Sequence, residues 1–287
     1  MIEAALRPRG PYSLRQSARL AGDATRTMRG GRLTAVFEVD GRPELAAAWQ
    51  LRDGTLVCRA QSDGGIDALR FALALDEDHT PFLERFADDP LIGRSIRKFR
   101  GVRPLRLGTV TQSLLRAVCG QLITAREARA IERRIIRAAT PEFPGTGLHA
   151  PPAPTAFARF SPVELRRFGL GIRRATALVR LSRALDLEGL RRVPTEAAAD
   201  RLERERGLGP WSVGVICLQG LGRYERGLVG DLGLVKLVAA MRGRRVEAWE
   251  TAELLEPYGD WQGLASVYLL SGFHDGLVPL KPRAAAA

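Results

Sequence analysis

The sequence predicts an α+β N-terminal domain with an antiparallel sheet, followed by an all-α domain. Three observations predict it. Strand-type alternation and an Asp-Gly hairpin signal are confined to the first part of the chain. From about Gly108 onward helical spacing replaces them. Two capping boxes then open helices in that second part. A chain of 287 residues with 45% apolar content is long enough for two domains with real cores. The expected division is 1–107 for the α+β domain, 108–281 for the helical domain and 282–287 for a frayed tail.

The elements follow in order. Residues 33–39 alternate and are rich in strand formers. Residues 49–58 contain Asp53-Gly54, a pair suited to the mirror-image turn that matches strand twist. Residues 81–88 and 90–99 read as short helices. In 109–119, Leu114, Leu115 and Val118 have helical spacing, and Gly120 interrupts the pattern. Thr124-Ala125-Arg126-Glu127 is a capping box that opens a helix to about Ala139. Gln121-Leu122-Ile123 therefore lies on a helix-to-helix corner, where an apolar tip can protrude. Residues 141–154 form a Pro/Gly-rich loop, and Ser161-Pro162-Val163-Glu164 is a second capping box.

Residues 195–205 are rich in helix formers. Gly207 and Gly209 end that helix, and glycine tolerates the positive φ of a tight reversal. Pro210 suits the first turn of a new helix, and 211–221 is apolar and long enough for about three turns. The result is helix, glycine hairpin, helix, with backbone N–H groups directed outward as an anion site for a nucleic-acid phosphate. Asp231 stands before 232–238 as an N-cap. Residues 246–257 and 261–273 close the helical domain.

The net charge of +12 points to a polyanionic partner. Lys98, Lys236 and Lys281 are the only lysines; the other basic residues are arginine. No apolar run approaches the roughly 20 residues of a membrane span. Residues 1–22 lack the apolar stretch of a signal peptide, so a cytoplasmic protein is expected. Cys58, Cys119 and Cys217 are isolated and make no disulfide framework. His79, His149 and His274 are scattered without metal-ligand spacing.

Gly207-Leu208-Gly209-Pro210-Trp211-Ser212, followed by Asp231-Leu232-Gly233-Leu234, resembles the helix-hairpin-helix DNA glycosylase superfamily, and within it the DNA-3-methyladenine glycosylase II branch. Gly120-Gln121-Leu122-Ile123-Thr124 resembles the segment that this branch inserts into DNA. Residues 161–184, with Gly169-Leu170-Gly171-Ile172-Arg173-Arg174-Ala175, resemble its middle helices. Pro11-Tyr12 and Asp89-Pro90-Leu91-Ile92 resemble its N-terminal domain.

The resemblance implies that the helical part is a helix-hairpin-helix glycosylase domain. It implies a monofunctional DNA glycosylase that flips out alkylated purines of the 3-methyladenine type and hydrolyses their glycosidic bond in base-excision repair. The partner is then double-stranded DNA with a damaged base, met by a monomer. Asp231 is the expected catalytic acid. Trp211, Val215, Tyr268 and Leu270 are the expected base pocket, Val215 and Leu270 standing where the branch has aromatic residues. Gln121, Leu122, Gly207, Leu208, Gly209 and Ser212 are the expected DNA contacts, with Leu122 as a wedge in the base stack and Gln121 facing the orphaned base. Trp211 occupies the position where bifunctional relatives place a Schiff-base lysine, which implies hydrolysis without a lyase step. No metal and no iron–sulfur cluster are expected; the family implies a monovalent cation at the hairpin carbonyls. Two other readings stay open. The same fold can act on deaminated or oxidised bases, which Val215 and Leu270 permit. The hairpin can also serve a non-catalytic DNA-binding module as a phosphate clamp.

Overall fold

In a computed structural model, which describes residues 1–19 and 21–280, five strands form one antiparallel sheet. They are β1 (Ile2–Leu6), β2 (Arg26–Arg29), β3 (Arg32–Val39), β4 (Arg42–Gln50) and β5 (Leu56–Ala60), in the order β1-β5-β4-β3-β2. The expected tail at 282–287 lies outside the described residues. Alternation in β3 puts Leu33, Ala35 and Phe37 into a core shared with Ile66 and Leu69 of the helix Asp63–Ala72. Val36 faces the other way, onto Leu148 and Ala150 of the Pro/Gly-rich loop. The sheet is therefore covered on both faces.

The β4–β5 connection differs from the expected two-residue turn. It spans 51–55 and is closed by Leu51 N–H to Thr55 O at 2.8 Å. Asp53 accepts from the Thr55 N–H and hydroxyl, both at 3.0 Å, and only Gly54 takes a positive φ, of 90°. An Asp side chain bonding its own backbone two residues on substitutes for one turn residue. Both edge strands, β1 and β2, carry little alternation and were not legible in the sequence.

The remainder is helical. Val110–Gly120 runs through its centre, buried from Val110 to Cys119 and capped by Thr109, whose hydroxyl accepts from Gln112 N–H at 3.0 Å. Both expected capping boxes form, at Thr124/Glu127 and Ser161/Glu164. The helices Thr80–Arg85 and Gly93–Lys98 precede residue 107 but do not pack with the sheet. Their Phe82, Phe86, Ile92 and Ile96 join the core of the helical body. The Tyr268 hydroxyl donates to Phe99 O at 3.1 Å, and Lys98 pairs with Asp275 at 2.7 Å. Residues before position 107 thus contribute to both the sheet core and the helical core.

A buried ionic network ties the parts together. Arg116 reaches Asp23 at 2.7 Å and Glu132 at 2.9 Å. Burial works against the charge on Asp23, but the guanidinium groups of Arg26 and Arg116 hold its carboxyl below the usual range. Among the described residues no helix is long and apolar enough to cross a membrane.

Candidate active site

The hairpin forms where expected. The helix Thr195–Glu203 ends at the C-cap Arg204, and Leu208 N–H closes back on Glu205 O at 3.1 Å. Gly207 takes φ +98°, with the Ala177 methyl only 3.0 Å from where its own Cβ would be. Gly209 does not share this role. It is extended, at φ −103° and ψ 177°, and a Cβ there would meet nothing within 4 Å. Its lack of a side chain leaves the backbone open to close approach from outside. Leu208 is buried and anchors the turn, while Arg180 grips it from outside, through Glu205 at 2.6 Å and Arg206 O at 2.8 Å.

Pro210 then opens a helix, Pro210–Val215, which continues through a π-type turn, Ile216–Leu221, and stops at Gly222 in the left-handed region. A helix start leaves its first N–H groups without intrahelical acceptors. Four carbonyls of the hairpin already accept from protein donors: Glu205 from Leu208 N–H, Arg206 from Arg180, Gly207 from Gln121 and Gly209 from Val213 N–H. Each of these carbonyls keeps a second lone pair, the donor type that a monovalent cation at the hairpin would use.

Asp231 is the N-cap of Leu232–Arg242, as its sequence position predicts; its Oδ1 accepts from Gly233 N–H at 2.8 Å. The second oxygen is also held. The indole N–H of Trp211 donates to Asp231 Oδ2 at 3.0 Å. One half-buried carboxylate therefore links the hairpin helix to the helix that follows it. Two glycines make this fit. A Cβ at Gly233 would lie 2.5 Å from Leu270 Cδ2 and 3.1 Å from Asp231 Oδ1. A Cβ at Gly120 would lie 2.5 Å from Trp211 Cη2. Gly120 is the last residue of its helix, which ends there as the sequence predicts, and its absent side chain is the seat of the Trp211 ring. A glycine at the end of a helical pattern was the one sequence sign of such a close approach.

The corner at 121–124 completes the site. Leu122 is 91% exposed and takes φ +60°, a left-handed conformation that costs a branched side chain energy. Arg174 fixes the loop by donating to Cys119 O at 3.3 Å and Gln121 O at 3.0 Å. Gln121 does not hold its amide out toward an orphaned base. Its Nε2 donates to Gly207 O at 2.8 Å and Ser212 Oγ at 3.0 Å, because the hairpin carbonyl lies within reach. It braces the Leu122 loop against the hairpin. Ser212, its partner, is buried.

The expected base pocket comes together only in part. Trp211 and Leu270 are half-buried beside Asp231. Tyr268 is in the core, its ring against Phe82 at 5.3 Å and its hydroxyl spent on Phe99 O, so it presents no face to a ligand. Val215 is likewise buried at the inner end of its helix. Lys236 is exposed, and among the described residues Asp231 accepts from no lysine. Two open clefts lie elsewhere: one of roughly 490 Å³ is lined by Phe71, Arg106 and Arg223, and one of roughly 330 Å³ by Glu38, Thr140 and Arg159. Asp231 lines neither. It sits at the surface where the hairpin helix, its own helix and the helix Gln262–His274 meet.

No family model matches the chain. The DNA-3-methyladenine glycosylase of Bacillus subtilis is 26% identical over 204 residues, covering 68% of this chain and 67% of that protein. The solved 3-methyladenine DNA glycosylase of Archaeoglobus fulgidus superposes with a TM-score of 0.81 at 19% identity, over 96% of this chain and 98% of that one. The 8-oxoguanine glycosylase/lyase of Clostridium acetobutylicum, solved with double-stranded DNA, superposes with a TM-score of 0.78 at 16% identity, over 97% and 99%. At such identities the superpositions show a common fold.

Proposed function

We propose that this chain, which belongs to the helix-hairpin-helix DNA glycosylase superfamily, is a monofunctional glycosylase that releases alkylated purines from double-stranded DNA. The observation that carries the reading is the carboxylate of Asp231, fixed by the Trp211 indole and the Gly233 N–H beside the glycine hairpin.

The chemistry follows from that placement. A damaged base must leave the duplex before its sugar can reach Asp231, at a cost of a few kcal/mol. Leu122, bare and projecting, fills the gap in the stack as apolar wedges do. The hairpin N–H groups hold a backbone phosphate. The bond from C1′ to the base nitrogen breaks, its electron pair leaving with the base. Positive charge grows on C1′ and the ring oxygen, and the Asp231 carboxylate stabilises it electrostatically. Water then bonds to C1′ and gives up its proton, for which Asp231 is the available base. A cationic alkylated base is already a good leaving group, so a second carboxylate is not required. Trp211 has no amine with which to attack C1′, and its N–H is committed to Asp231; both support hydrolysis without strand cleavage.

A second reading keeps the chemistry and shifts the substrate to deaminated or oxidised bases. Burial of Val215 and Tyr268 favours it, because Trp211 is then the one aromatic of the expected pocket available to a cationic ring. An excision assay on duplexes with methylated, deaminated and oxidised bases, followed by alkali to reveal abasic sites, separates the two. Alkali-dependent cleavage confined to methylated purines is the expected result. Nicking without alkali overturns the monofunctional assignment, and no release from any duplex overturns the enzyme.

A further inference from the structure

Trp249 is the only aromatic side chain among the large apolar residues exposed in the described structure, at 63%. Its chain neighbours Ala248 and Thr251 lie against Gly230, the residue before Asp231. Gly230 N–H donates to Thr251 Oγ1 at 2.7 Å, and the Ala248 methyl is 3.6 Å from where a Gly230 Cβ would be. The connection at 243–249 therefore carries the chain back to the start of Leu232–Arg242, and Trp249 and Asp231 cap neighbouring helix starts. This return is built with care. Glu250, buried, accepts from Glu247 N–H at 2.7 Å and Arg244 at 2.6 Å, and also binds Arg242. Arg245, next in the loop, is exposed.

A braced loop that holds an indole in water beside a candidate catalytic carboxylate gains nothing from that ring in folding, because the apolar area stays wet. Nucleobases have a π-face that stacks on tryptophan whatever the sequence, and a neighbouring arginine favours the attached phosphates. Trp211 bonds Asp231 Oδ2, while the segment that carries Trp249 bonds the preceding Gly230 through Thr251.

We infer that Trp249 is a binding residue that stacks on a nucleobase flanking the extruded nucleotide, holding the DNA in register while the damaged base is out. This rests on the glycosylase reading above. The test compares wild type, Trp249→Ala and Trp249→Phe in binding a duplex with a tetrahydrofuran abasic analogue, read by fluorescence anisotropy. The same duplex is then made with one flanking nucleotide at a time, on either side and either strand, also lacking its base. Trp249→Ala weakens binding roughly 5- to 150-fold and Trp249→Phe far less. At one flanking position the missing base abolishes the difference between wild type and Trp249→Ala. Equal affinity of wild type and Trp249→Ala, or a penalty that persists on every base-less duplex, overturns the inference. Wild type that binds the analogue no better than intact duplex and releases no base overturns the glycosylase reading, and the flanking contact falls with it.

Discussion

The indole N–H of Trp211 and the carboxylate of Asp231 are joined by a 3.0 Å hydrogen bond. Trp211 is thus a donor to the candidate acid, and its ring is seated on Gly120.

Replacing Asp231 by Asn tests the acid. Asn is as good an N-cap as Asp, so helix Leu232–Arg242 keeps its start and the melting temperature changes by no more than a few degrees. The charge proposed to meet the sugar is lost. Base release falls by about 10²–10³-fold or more, while binding to undamaged duplex stays within a factor of two or so. Equal loss of binding and release marks Asp231 as a structural cap alone.

Trp211→Phe keeps an aromatic ring, though a smaller one, and removes the donor. One carboxylate oxygen then loses its partner, a cost of about 1–3 kcal/mol, and the side chain is freer to turn. Single-turnover base release slows by roughly 5- to 150-fold by the same energies, with no strand nicking. An unchanged rate shows that the Gly233 cap alone orients the acid.

The two glycines at 120 and 209 separate space needed inside from space needed outside. Gly120→Ala drives a methyl into the Trp211 ring and costs about 1–3 kcal/mol of stability. Gly209→Ala meets open space at an ordinary φ. It leaves thermal stability within about 0.5 kcal/mol and weakens duplex binding at low salt. Unimpaired binding by Gly209→Ala means no phosphate approaches there.

Leu122 is exposed and left-handed, so neither Leu122→Ala nor Leu122→Gly harms folding. Glycine relieves the φ +60° strain and raises stability by up to about 1 kcal/mol. Both substitutions slow excision from duplex and leave release from single strands, where no gap needs filling, near wild type. A large drop in melting temperature marks Leu122 as a packing residue.

Burial, with Arg103 and Arg106 nearby, pushes the His79 imidazole down to about 3, and its Nε2 lies 2.9 Å from the Tyr224 hydroxyl. Between the ordinary value of 6.5 and that value the unfolded chain binds a proton that the folded chain refuses. Stability from this group is therefore complete above pH 6.5 and falls as pH drops, by about 2 kcal/mol at pH 5. Denaturant titrations at pH 7 and pH 5 show the fall, and His79→Phe flattens it. An equal fall in the variant assigns it to other groups.

Local chemistry decided much of this protein. Thr124/Glu127 and Ser161/Glu164 cap helices because their side chains reach N–H groups three residues away, wherever the chain lies. The glycine hairpin and the Asp231 cap are local in the same sense and were legible. Glycine at 207 and at 209 looks alike in sequence, yet only the folded backbone separates a positive φ from an open approach. Tertiary packing alone decided the rest. Gln121 turned to the hairpin because Gly207 O and Ser212 Oγ arrived beside it from some 90 residues on. Tyr268 sank into the core because Phe82 and Phe99 came from the other end of the chain. Contacts between distant segments depend on how whole elements pack, and no residue type or spacing within one segment encodes its partner.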